Sequence, residues 1–126
     1  MYVQSGRTRG PTIDTNLLAR QVAAIASDAH ATNVQVLDIH ELSPITDYFV
    51  IVSADNTRLL RTVSDRVREE LRNEGVRPLR VEGLPEHGWI VIDYGDVIVH
   101  LLTVEQRNYY RLEELWSEAH RVLVIQ

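Results

Sequence analysis

Apolar residues recur at helical spacing over Leu17, Leu18, Val22, Ile25 and Ala29, a stripe that predicts a first helix. Thr12 or Asp14 supplies its N-cap. Residues 33–39 are β-rich and read as a strand, and Ser43-Pro44 marks a turn. A second strand covers 47–53, dense in Tyr, Phe, Val and Ile. Asp55 or Asn56 then caps a second helix with the stripe Leu60, Val63, Val67 and Leu71, and Gly75 stands where a helix stop is expected. Residues 78–82 alternate as a third strand, and 83–88 form a loop around Pro85. Residues 89–93 and 96–102 read as two strands joined at Tyr94-Gly95. Thr103 caps a third helix, with Gln106 placed to complete a capping box, and its stripe is Leu112, Leu115, Trp116 and Ala119. The tail 122–125 is apolar and is expected to lie against the core.

The order α-β-β-α-β-β-β-α predicts an α+β (α/β) domain. It is built on a single five-stranded mixed sheet with helices mainly on one face, and the other face is at least partly open. Gly6, Gly10 and Pro11 make residues 1–11 a flexible lead-in, so the folded domain is 12–126.

The last hairpin says most about the open face. A two-residue loop at Tyr94-Gly95 pairs Asp93 with Asp96, Val91 with Ile98 and Trp89 with His100, all on one face. The opposite face carries Ile90, Ile92, Val97, Val99 and Leu101 and belongs to the core. Facing carboxylates cost up to about 1 kcal/mol, which a basic partner would recover. Asp is also ordinary at a solvated turn. The whole face, with an indole, an imidazole, two acids and two aliphatics, reads as a partner surface.

Composition narrows the chemistry. The chain has no Cys, which excludes disulfides, thiol nucleophiles and cysteine metal sites, and no Lys, which excludes Schiff-base chemistry. All 13 basic residues are Arg, and the net charge of −5 argues against nucleic acid as the main partner. Residues 1–10 lack the apolar run of a signal peptide, and no apolar stretch approaches a membrane span, so a cytoplasmic protein is expected. Asp38 and His40 share a strand spacing but read better as local structure than as metal ligands. There is no H-x-x-x-H, G-x-S-x-G or G-x-G-x-x-G. Ser53-Ala54-Asp55-Asn56 could present a helix N-terminus to an anion, but Asp55 makes capping the better reading. Within Arg107-Asn108-Tyr109-Tyr110-Arg111, adjacent residues point about 100° apart on a helix. One Tyr therefore joins the core while the other stays near the surface, and the sequence does not say which.

Three runs in order, Thr46-Asp47-Tyr48-Phe49-Val50-Ile51, Pro78-Leu79-Arg80-Val81-Glu82-Gly83 and residues 88–100 around Asp93-Tyr94-Gly95-Asp96, are followed by Arg107 to Trp116. Together they closely resemble the ribosomal silencing factor family, also called RsfS or Iojap, over roughly residues 15–118. The segment 101–105 is less aromatic than is usual there, and 1–11 and 121–126 match nothing recognisable. The resemblance implies binding to the large ribosomal subunit through large-subunit ribosomal protein fourteen. It implies a steric block of subunit association that represses translation when nutrients fail. It further implies a nucleotidyltransferase-like fold without catalytic residues: no enzyme, no cofactor, no metal, no membrane, and little or no direct nucleic-acid readout. Organelle relatives act in large-subunit assembly, which would use the same surface. A nucleotide-binding protein with Asp38, Asp93 and Asp96 as metal ligands is the rival reading. The residues fit the first picture: Trp89, Asp93, Asp96 and His100 form the expected centre of the partner site, with Ile98 as an apolar anchor. Tyr94, Arg107 and Tyr109 form its rim. A homodimer through an open sheet edge stays open.

Overall fold

The computed structural model of the protein describes residues 14–126; the lead-in 1–11 and the alternative cap Thr12 lie outside the described residues. Asp14 is the first cap. Its carboxylate accepts the Asn16 and Leu17 amides and opens α1 (Thr15–Asp28). Leu18, Val22 and Ile25 are buried, whereas Leu17 faces solvent. Next come β1 (Thr32–Asp38) and β2 (Tyr48–Ala54). Asn56 then caps α2 (Thr57–Asn73) through the Leu59 amide, and Leu60, Val63, Val67 and Leu71 are fully buried along it. The edge strand β3 (Arg80–Glu82), a short 3-10 turn at Pro85–His87, β4 (Trp89–Asp93) and β5 (Val97–Thr103) follow. The chain closes with α3 (Val104–Tyr110), α4 (Leu112–Leu115) and β6 (His120–Ile125). No described helix is long and apolar enough to cross a membrane.

The strands form one mixed sheet in the order β3-β4-β5-β2-β1-β6, with β2 and β5 parallel and the other neighbours antiparallel. The α+β class therefore holds, with one strand more than expected. The apolar tail is that strand: it pairs with β1, Val36 opposite Leu123 and Asp38 opposite His120. Six residues, three of them partly buried, are enough for an edge strand, and the tail gave no turn signal that would have marked it as one.

The two long helices share one face. There Val22, Val63, Val67, Ile90, Ile92, Val97, Val99 and Leu101 form the main core. A smaller core of Leu37, Ile39, Phe49, Ile51, Leu102 and Leu112 lies on the other face, where α3 and α4 cover part of the sheet. The expected single third helix is broken. Arg111 takes a left-handed conformation (φ 49°) between α3 and α4. Residues 107 and 113 would lie on different sides of a continuous helix; the break lets Glu113 turn back onto Arg107 and Leu112 enter the smaller core. Leu115, which the stripe assigned to the core, is 75% exposed. Thr103 does cap α3 through the Gln106 amide, but its own amide donates to Gly88 O, so no capping box closes.

Candidate functional site

The site is built on the β4–β5 hairpin, whose register differs from the expected one. Asp93 lies opposite Ile98, Val91 opposite His100 and Trp89 opposite Leu102. The loop is Gly95-Asp96, closed by the Tyr94 amide on Val97 O (2.9 Å), with Gly95 at φ 92°. Such a loop takes glycine in its first position, so the glycine sits one place earlier in the turn than the Tyr94-Gly95 reading supposed. The slip moves each partner by two residues and so preserves the faces. Trp89, Val91, Asp93, Ile98 and His100 remain on one side.

Asp93 and Asp96 do not oppose one another, and the repulsion that a basic partner would have relieved is absent. Asp93 accepts the Gly95 amide at 2.7 Å and meets the Arg80 guanidinium at 3.5 Å. Asp96 is 6% exposed. Its backbone carbonyl accepts the amides of Asp47 and Tyr48, tying the turn to the start of β2. It is a turn residue rather than a surface acid. Tyr94 leaves the site as well. It packs against the main core on the helix side, and burial pushes its phenol up to about 12 despite nearby Arg68.

Arg107, expected at the rim, is 2% exposed. Its guanidinium contacts Glu113 Oε1 (3.0 Å), the Asn33 carbonyl (2.8 Å) and Ser53 Oγ (2.9 Å). Burial pulls its pKa down and Glu113 opposes that. It clamps α3 and the chain after it onto β1 and β2. Sequence reasoning had no means to find this role, because Asn33, Ser53 and Glu113 are brought to Arg107 only by the fold.

Over this frame runs a continuous line of aromatic rings. Trp116 meets Phe49 (centroids 5.2 Å), Phe49 meets His100 (4.9 Å) and Trp89 lies 5.9 Å from His100. Trp89 also meets Tyr110 (4.7 Å), which meets Tyr109 (4.9 Å). Both tyrosines are exposed, Tyr109 at 76% and Tyr110 at 47%, so neither joins the core as the helical spacing led us to expect; Tyr110 lies instead against Trp89. The Trp89 indole donates to His100 Nδ1 at 3.2 Å, which requires that nitrogen to be unprotonated. Burial holds the His100 pKa down at about 4, so the acceptor is present across physiological pH. Phe49, Tyr110 and Trp116 complete the line without having been singled out as site residues. Strand alternation places Phe49 with Ile51, but only the parallel β2–β5 pairing sets its ring beside His100.

The line ends in a partly open, amphipathic patch: Trp89, Val91, Ile98, Tyr109 and Tyr110, edged by Asp93, Arg80 and Glu82. Chemically it offers flat apolar area with a rim of both charges, suited to a protein surface rather than a small molecule. Elsewhere, Asp38 accepts both the backbone amide and the Nδ1 of His40. Burial pushes the Asp38 carboxyl up, but the two hydrogen bonds outweigh it and hold the pKa below the usual value; the hydrogen bond to Asp38 raises His40 in turn. Among the described residues no group of three or more His, Asp or Glu could hold a metal ion.

The sequence model of the family described as "Ribosomal silencing factor during starvation" matches residues 12–126. Ribosomal silencing factor RsfS of Bacillus subtilis is 31% identical over 97 residues, covering 77% of this chain and 82% of its own. That of Halalkalibacterium halodurans is 32% identical over 106 residues, covering 84% and 90%. The chloroplastic protein Iojap of Zea mays is 28% identical, covering 91% of this chain and 53% of its own. A crystal structure of a Bacillus halodurans protein, 30% identical, superposes with a TM-score of 0.70 over 82% of this chain and 95% of that one. A Chromobacterium violaceum structure, 24% identical, shares the fold with a TM-score of 0.80 over 83% and 88%. With the family model spanning all but the first eleven residues, the chain belongs to the ribosomal silencing factor family.

Proposed function

We propose that this protein binds the large ribosomal subunit through large-subunit ribosomal protein fourteen and blocks subunit association by occupancy, repressing translation when nutrients are limiting. Family membership supports the ribosomal role. The observation that carries the site is the exposed end of the aromatic line, Trp89, Tyr110 and Tyr109, flanked by Val91 and Ile98 and edged by Asp93, Arg80 and Glu82. Aromatic anchors within a mixed-charge rim are the usual make-up of a protein-binding hot spot. No residue needs a catalytic role, because a wedge acts by being in place.

Sedimentation with separated subunits tests the reading. Co-migration with the large subunit alone, with loss of whole ribosomes once the small subunit is added, is the expected result. Migration with neither subunit would overturn it. A Trp89→Ala/Tyr109→Ala double variant that stays folded yet binds large subunits like the natural chain would move the site elsewhere.

A further inference from the structure

Charge is unevenly distributed along this acidic chain. Residues 57–80 hold seven of the 13 arginines and four of the 18 acids, a local net of +3, while the remainder carries −8. Most of that segment is α2. At 100° per residue, Arg58, Arg61, Arg68 and Arg72 fall within an arc of about 80° along roughly 21 Å of helix axis. Asp65 and Glu69 lie in the same stripe. The stripe is turned away from buried Leu60, Val63, Val67 and Leu71. It borders a shallow cleft where Arg61 and Arg68 face Val81, Leu84 and Pro85 beside the β3 edge. Arg77 extends it into the connector to β3.

The ion pairing on this helix is selective. Arg66, on the α1 side, is held by Asp28 and Glu70, and Arg61 lies 3.5 Å from Glu86. Arg58, Arg68, Arg72 and Arg77 are all exposed and make no ion pair with any described residue. An exposed guanidinium that makes no ion pair gives up no partner on meeting a phosphate, although Asp65 and Glu69 beside Arg68 and Arg72 reduce the local positive charge; its planar fork suits a phosphate bidentately. A line of such groups along one helix edge matches a polyanionic backbone better than a point ligand. Residues 57–80 contain no aromatic residue on which a base could stack.

We infer that this stripe is a second contact surface, which holds the phosphate backbone of RNA without reading bases. The inference rests on the proposed function for its location: it lies on the helix-covered side of the sheet, away from the aromatic patch. Docking by that patch leaves α2 uncovered on the opposite face of the sheet, with its arginines still available to RNA.

Co-sedimentation with purified large subunits between 50 and 200 mM salt tests it, comparing the natural chain with R58Q/R68Q/R72Q and with the corresponding Arg→Lys triple. These positions are exposed, and unchanged circular dichroism and melting confirm folding. The glutamine triple is expected to bind at least tenfold more weakly at 50 mM salt. Its log–log salt slope should be shallower by about two, because each lost phosphate contact removes a little under one; the lysine triple should keep most of the slope. Equal slopes for all three proteins would overturn the inference while leaving the proposed function standing. Failure of the natural chain to bind large subunits would overturn the proposed function instead. The stripe is then decided by anisotropy with a fluorescent RNA hairpin: salt-sensitive binding lost in the glutamine triple supports it, and no binding rejects it. A slope lost on the ribosome with no binding to the RNA hairpin would assign the stripe to an acidic protein and reject RNA.

Discussion

The two faces of the sheet are built from the same strands by opposite rules. On the helix side, aliphatic residues of β4 and β5 meet the apolar stripes of α1 and α2, and almost every side chain is fully buried. On the other side the core is small, five aliphatic residues and Phe49, with a line of aromatic rings laid against it; it is closed at one end by α3 and α4 and left open at the other. The first face is non-directional hydrophobic packing, which tolerates any arrangement of the right volume. The second depends on particular partners: an indole on an imidazole, and an arginine on a carbonyl, a hydroxyl and a carboxylate. Stability is concentrated on one face and surface chemistry on the other, so substitutions on the two faces should separate.

The largest effect belongs to the packed face. Leu60→Ala opens a cavity under α2 and is expected to cost about 3 kcal/mol, read as a fall in the urea midpoint at constant slope, with large-subunit binding unchanged while the protein stays folded. Next comes the clamp. Arg107→Ala strands the Glu113 carboxylate and the Ser53 hydroxyl and should cost about 2 kcal/mol. Unlike Leu60→Ala, it should also weaken large-subunit binding, because it releases the segment that carries Tyr109 and Tyr110. If Arg107→Ala lowered stability but left affinity untouched, the clamp would belong to the fold alone.

The packed face was legible in the sequence and the aromatic face only in part. The stripe Leu60, Val63, Val67, Leu71 and the run of alternating aliphatics in β4 and β5 are periodic, and periodicity follows directly from helix and strand geometry. Face membership survived even the wrong hairpin register, since a slip of two residues restores the same side. What failed was anything set by long-range pairing. β6 exists because β1 needs a neighbour, Arg107 is buried because Asn33 and Ser53 come to it, and Asp96 turns inward because β2 hydrogen-bonds its carbonyl. None of these has a local signal.

The aromatic face should also be the pH-sensitive one. Burial holds His100 at about 4 when folded, against about 6.5 when unfolded. Below pH 6.5 the unfolded chain takes up a proton that the folded chain refuses, so stability falls as pH drops from 6.5 toward 4 and is unaffected by this group above that window. The loss is about 2 kcal/mol at pH 5. His40 works in the opposite sense. Its raised pKa contributes stability that is fully present below about 6.5 and is lost as pH rises through the folded value. The two are separated by difference: in urea titrations of the natural chain and His100→Phe, run from pH 7 to 4.5, the natural chain should lose about 2 kcal/mol relative to the variant by pH 5. Parallel curves would mean that His100 is not buried as a neutral ring.

The smallest effect on stability should be the most informative about function. Tyr109 is 76% exposed and touches Tyr110 by its edge, whereas Tyr110 lies against Trp89. Tyr109→Ala should therefore change stability by no more than about 0.5 kcal/mol, while Tyr110→Ala, which uncovers the indole, should cost about 1 kcal/mol. For binding the order reverses in meaning. A residue that the fold does not need can lose affinity only through the partner, and an exposed anchor is expected to lose about tenfold or more on truncation. Tyr109→Phe separates ring from hydroxyl: full affinity assigns the contact to the ring, and loss equal to that of Tyr109→Ala assigns it to the hydroxyl. A Tyr109→Ala protein with unchanged stability and unchanged large-subunit affinity would place the boundary of the contact surface inside Tyr110, with Trp89 and Ile98 carrying the anchor alone.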